Sequence, residues 1–163
     1  MDILPDKNTF EQWVKISSRV PLCGQQKIPG LDLSRLFQKL FSNTENTFLF
    51  ESGNGPEETT RYSLMGKASS KILKIKGERA KLFCNGNLVT EWDQPDSALE
   101  LLNFDENVRP VDYLPHFWGG WVGFLGYEMG GWFETLPVKE SPDNSLPDLL
   151  FMEVERLFLY DHL

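Results

Sequence analysis

The side chains able to do chemistry in this sequence are few and scattered. Cys23 and Cys84 lie far apart and form no CxxC pair, and the two histidines, His116 and His162, cannot complete a zinc site with them. Two reduced, partly buried thiols fit a cytoplasmic chain. No Ser/His/Asp or Cys/His set can be assembled from two histidines, and no spacing among the acids marks an acid–base pair or a magnesium cage. The stretch His116–Glu134, HFWGGWVGFLGYEMGGWFE, holds six of the thirteen glycines and is the one place where a phosphate cradle could be sought. It contains no G-x-G, so the dinucleotide fingerprint fails, and no Lys-Ser/Thr follows as in a phosphate loop. Gly120, Gly123 and Gly126 recur every three residues between Trp121, Phe124 and Tyr127. Glycines so placed mark bent strands packed against closely, either within a core or at an interface with a partner domain or ligand.

The bulk composition narrows the classes further. The 163 residues are 40% hydrophobic and 25% charged, ordinary for one soluble domain with a real core. A net charge of −8 repels phosphate backbones and anionic lipid, which disfavours nucleic-acid and membrane roles. The one basic run, Lys67–Lys81, alternates its charges with apolar residues and reads as a solvated strand face. MDILPDKNTF is acidic and lacks a long apolar run, unlike a signal peptide, and no segment reaches the roughly 18 uninterrupted apolar residues of a spanning helix.

The elements that must position any site follow from periodicity. Thr9 and Gln12 form a capping box, which predicts a helix over 9–17. Leu33, Leu36, Phe37, Leu40 and Phe41 trace one helical face behind the cap Asp32. A third helix begins near Pro95 and continues through Ala98, Leu99, Leu101 and Leu102. About seven strands are expected: an irregular one within 19–28, Thr47–Phe50, the 61–75 region, two arms flanking the Asn85-Gly86 turn, the glycine–aromatic stretch, and a closing strand over 149–160. Segments 103–115 and 138–147 read as loops. Short helices among hairpin-like strands predict an α+β fold of mainly antiparallel sheet.

Five landmarks then stand in order. They are F-L-F-E-S-G at 48–53, R-Y-S-L-M-G at 61–66, F-x-G-G-x-x-G-F-L-G-Y-E at 117–128 with G-G-W-F-E-T-L-P after it, L-P-D-L-L-F at 146–151, and Y-D-H at 160–162. Together they resemble the N-terminal region of component I of the chorismate-using synthases, the family of anthranilate synthase and aminodeoxychorismate (para-aminobenzoate) synthase. The resemblance runs from about Thr47 to His162 and extends more weakly toward Thr9.

The resemblance implies a layered α/β/β/α arrangement with two packed sheets. It implies that residues 1–163 are one N-terminal domain, cut where the family's chain continues, and inactive alone. The C-terminal chorismate-binding domain would carry the catalytic residues and the Mg²⁺ carboxylates, so this chain itself needs no cofactor. A glutamine amidotransferase subunit would supply ammonia. The family's tryptophan feedback site maps onto Glu51 and Ser52, with Arg61, Tyr62 and Ser63 nearby; Phe48 and Phe50 depart from the leucines usual in that motif. A carboxylate at Glu51 suits a ligand ammonium, and hydroxyls or amides suit its carboxylate. The plainer alternatives are a strand-end charge paired with Arg61 and local backbone hydrogen bonding by the serines. An apolar interface toward the missing half is expected at Trp118, Trp121, Phe124 and Trp132. The 130–137 stretch leans toward aminodeoxychorismate synthase, which is the first expectation. The 48–52 and 61–63 landmarks lean toward a tryptophan-responsive anthranilate synthase. A stand-alone amino-acid-sensing module is the further alternative.

Overall fold

The computed structural model describes residues 1–53, 55–56, 60–103, 111–115, 117–132, 134 and 146–163. The chain divides into two compact units, one built from 1–43 and 104–118, the other from 44–103 and 119–163.

The first unit holds a two-stranded antiparallel ribbon of β1 (Asp2–Leu4) and β2 (Cys23–Gln25), with helices α1 (Lys7–Trp13) and α2 (Leu33–Phe41). Helix α2 lies where its apolar period puts it. Asp32 caps it by accepting the Arg35 amide at 2.8 Å, and Phe37 meets Phe41 one turn on, with centroids 5.2 Å apart. Helix α1 starts two residues before the expected Thr9 and ends at Trp13. Its cap is Asp6, whose carboxylate accepts the Asn8 and Thr9 amides at 3.0 and 3.1 Å while the Thr9 hydroxyl donates to it at 2.6 Å. A carboxylate serves the orphan amides and the helix dipole together, so Asp6 displaces the threonine as the cap.

The second unit contains two antiparallel sheets. One has the order β10-β4-β3, from β3 (Thr47–Phe50), β4 (Tyr62–Lys67) and β10 (Leu157–Asp161). The other has the order β7-β6-β5-β9-β8, from β5 (Lys71–Lys76), β6 (Arg79–Cys84), β7 (Asn87–Trp92), β8 (Gly120–Leu125) and β9 (Leu149–Val154). The described residues therefore hold ten strands rather than seven, within the expected α+β class. Alternation on β5 sends Leu73 and Ile75 into a core with Ala80, Leu149 and Met129. A short helix, Asp96–Leu99, begins at Pro95 and runs into a 3₁₀ turn, Glu100–Leu102; Ala98, Leu99 and Leu102 pack on that core. The β6–β7 hairpin turns on Asn85 and Gly86, both at positive φ (51° and 81°), as a type I′ turn requires.

The expected closing strand over 149–160 is in fact two. Glu155 and Arg156 interrupt the apolar pattern, and the chain leaves β9 in the five-stranded sheet to enter β10 in the other. Ser69 anchors the crossing, with its amide on the Glu153 carbonyl and its hydroxyl accepting the Glu155 amide, both at 2.8 Å. The β4-to-β5 connection changes sheets at the same place, so both crossovers are tied to one point.

The glycine–aromatic stretch forms the edge strand β8 followed by a 3₁₀ segment, Tyr127–Trp132. A Cβ on Gly123 would run into the Leu150 carbonyl group and lie 2.8 Å from the Phe151 Cα. Close backbone approach is what this glycine permits, and the partner is strand β9.

Candidate functional site

Three segments of the second unit meet at one end of the three-stranded sheet. Register sets Phe50 opposite Leu64 and Asp161 opposite Tyr62. Glu51 and Ser52, just past β3, therefore lie beside Arg61, Tyr62 and Ser63 at the start of β4. The end of β10 flanks β4 from the other side. Of the effector-site residues expected from sequence, all five are brought to this corner.

Ser63 is its centre and is only 1% exposed. Its hydroxyl accepts the Ser52 amide at 2.9 Å and meets His162 Nε2 at 2.7 Å. The Ser52 hydroxyl donates to the Tyr62 carbonyl at 2.5 Å, and the His162 amide donates to the Arg61 carbonyl at 2.9 Å. The His162 ring stands edge-on to Tyr160, with centroids 4.9 Å apart at 83°. These bonds lock the ends of three strands together. The two serines use their hydroxyls to organise backbone, as in the plainer reading, but across neighbouring strands, between residues 10 and 11 positions apart, rather than within a local turn.

The electrostatics are local. Arg61 grips Asp161 with two parallel bonds, Nε to Oδ1 at 3.0 Å and Nη2 to Oδ2 at 2.8 Å, and its guanidinium lies 4.9 Å from the Tyr62 ring centroid. The Arg61 hydrogen bond holds the Asp161 carboxyl below the usual carboxylate range, helped by the Leu163 amide and opposed by partial burial. Glu51 is exposed at the rim of this corner.

Asp161 and His162 were not among the residues expected at the site. The available signal was an Asp-His pair directly after the alternating strand L-F-L-Y. Ser63 and His162 also place a nucleophile beside a base, but Ser63 is buried and already binds an amide, which argues against hydrolytic chemistry.

Of the four aromatic residues expected at an interface, Trp121 and Trp132 pack against the five-stranded core, because the pleat turns Trp121 inward and the 3₁₀ segment carries Trp132 back. Phe124 is exposed together with its neighbours Leu125 and Tyr127. Trp118 belongs to the first unit. Among the described residues, no three or more His, Cys, Asp or Glu are grouped to hold a metal ion, and no helix is long and apolar enough to cross a membrane.

No family model matches the chain. It is similar to anthranilate synthase component 1 of Neisseria gonorrhoeae, 31% identical over 153 residues that cover 90% of this chain and 31% of that protein. The protein of the same name from Pseudomonas putida is 28% identical over 150 residues, covering 90% of this chain and 30% of its own. That of Synechocystis is 34% identical over 127 residues, 76% of this chain and 25% of its own. Among solved structures, anthranilate synthase component I from Streptococcus pneumoniae TIGR4 aligns at 23% identity with a TM-score of 0.48, over 86% of this chain and 29% of that one. The chain thus spans about three-tenths of the length of the curated relatives it matches.

Proposed function

Because the chain belongs to the anthranilate synthase component I family, matching its N-terminal region, we propose that it serves as the non-catalytic, effector-holding part of a chorismate-using synthase. The observation that carries this reading is the meeting of Glu51-Ser52 with Arg61-Tyr62-Ser63 at one sheet corner, in a chain whose relatives match along nine-tenths of it. The relatives bear the name anthranilate synthase. That favours the tryptophan branch over aminodeoxychorismate and folate synthesis, toward which the 130–137 stretch leans. L-tryptophan is the effector this reading assigns. Chorismate amination, the Mg²⁺ it needs and the glutamine amidotransferase that feeds it ammonia belong to the assembled synthase. The exposed apolar residues Phe124, Leu125 and Tyr127 are then the surface on which the chorismate-binding part packs.

The geometry revises how an amino acid would be held. The Ser52 proton is committed to the Tyr62 carbonyl, so its oxygen is left as an acceptor. Glu51 and the Ser52 oxygen together form an acceptor pair for the ligand's ammonium. Calorimetric titration with L-tryptophan tests this: the unaltered chain binds, and Glu51→Gln weakens binding by roughly tenfold or more, as expected on losing a charge-assisted hydrogen bond. No heat from the unaltered chain would remove the effector role, and equal affinity of the two proteins would remove Glu51 from the site.

A further inference from the structure

We infer that His162 is a positioning residue for the Glu51-Ser52 strand end, acting through the buried hydroxyl of Ser63. A serine hydroxyl has one proton and two acceptor lone pairs. At Ser63 one lone pair takes the Ser52 amide. The proton then needs an acceptor, and Ser63 is 1% exposed, so solvent does not supply one. Among the described residues, the other group within hydrogen-bond reach is His162 Nε2, at 2.7 Å. The hydroxyl is fully satisfied only when Nε2 is bare and accepts, which assigns His162 the neutral tautomer with its proton on Nδ1. In the other tautomer both neighbours donate to Ser63 and its own proton is stranded, a costly state for a buried group.

The ring is held for this task. The His162 amide is bonded to the Arg61 carbonyl, and Tyr160 meets the imidazole edge-on. The chain of bonds runs from the imidazole to the Ser63 hydroxyl, then to the Ser52 amide. The Ser52 hydroxyl closes it on the Tyr62 carbonyl. A residue beyond β10 thereby fixes the direction in which the backbone leaves β3, and with it the aim of Glu51. That Glu51 aims at a ligand ammonium rests on the proposed function; the latch itself does not.

Nuclear magnetic resonance on the ¹⁵N-labelled 163-residue chain tests it. His162→Phe keeps an aromatic ring beside Tyr160 but has no acceptor, and His162→Gln restores a carbonyl oxygen. The latch predicts that the neutral His162 ring carries its proton on Nδ1, read from the ring ¹⁵N shifts. It also predicts that the Ser52 amide exchanges roughly tenfold or more faster in His162→Phe, measured relative to the Leu73 amide of the core, with recovery in His162→Gln. An Nε2-protonated ring overturns the inference, as does Ser52 protection that stays put or falls only in step with Leu73. L-tryptophan added to the same samples separates the two ideas. No binding by the unaltered chain with the latch intact refutes the effector reading alone. Unchanged tryptophan affinity in His162→Phe, with Ser52 protection lost, refutes the positioning role.

Discussion

Asp161 offers the clearest consequence at the scale of single residues. Its carboxyl is held below the usual range chiefly by the Arg61 hydrogen bond. A depressed native pKa means stability that is present above the unfolded carboxylate's value, about pH 4, and lost as pH falls through the native value. The pair is more than a third exposed on both sides, so its worth is about 0.2–1 kcal/mol and declines with salt. Asp161→Asn is therefore expected to lower the melting temperature slightly at pH 7 and to differ less from the unaltered chain at pH 3. Thermal unfolding followed at the two pH values checks this, and a deficit that grows in acid would contradict the assignment. Residues close in sequence were legible at this scale: Glu51, Ser52 and the Arg61-Tyr62-Ser63 run are named by their motifs. The contribution of Asp161 and His162 was not. A hydrogen bond between residues 99 positions apart depends on strand register, which no local pattern states.

Elements were read well where local chemistry dictates them. Helix α2, strand β3 and the Asn85-Gly86 hairpin coincide with their sequence signals, because an apolar stripe and a positive-φ turn are local properties. The errors arise where a neighbour decides. Asp6 takes the α1 cap from Thr9, and Glu155-Arg156 splits an apparently continuous strand so that it serves both sheets. The spacing of the β8 glycines marks close packing without naming β9 as the partner. Gly123 faces the Leu150 backbone, which cannot rotate out of the way as a side chain would. Gly123→Ala should thus destabilise the chain by about 3 kcal/mol or more, the upper end of overpacking costs, seen as a lowered urea midpoint. Asp148 joins the same sheet end, accepting from Lys76 Nζ and the Gly77 amide, both at 2.7 Å. A Gly123→Ala chain unfolding at the unaltered midpoint would mean that β8 does not press on β9 as described.

At the scale of the whole molecule, the chain carries a built strand-end corner, an exposed apolar edge at Phe124–Tyr127, and, among its described residues, no metal-binding cluster. A charge of −8 and few histidines and cysteines disfavour a nucleic-acid or zinc role on composition alone. The expected loop over 138–147 lies largely outside the described residues. The sequence alone does not separate the two members of the family it resembles, because the 130–137 and 48–63 landmarks lean opposite ways; the curated relatives bear the name anthranilate synthase. In the proposed function this chain regulates and scaffolds a synthase without performing its chemistry. Fluorescence detection of anthranilate, with the purified chain given chorismate, ammonium and Mg²⁺, addresses it most directly. The account predicts no product above a protein-free control, and steady turnover proportional to protein concentration would contradict it.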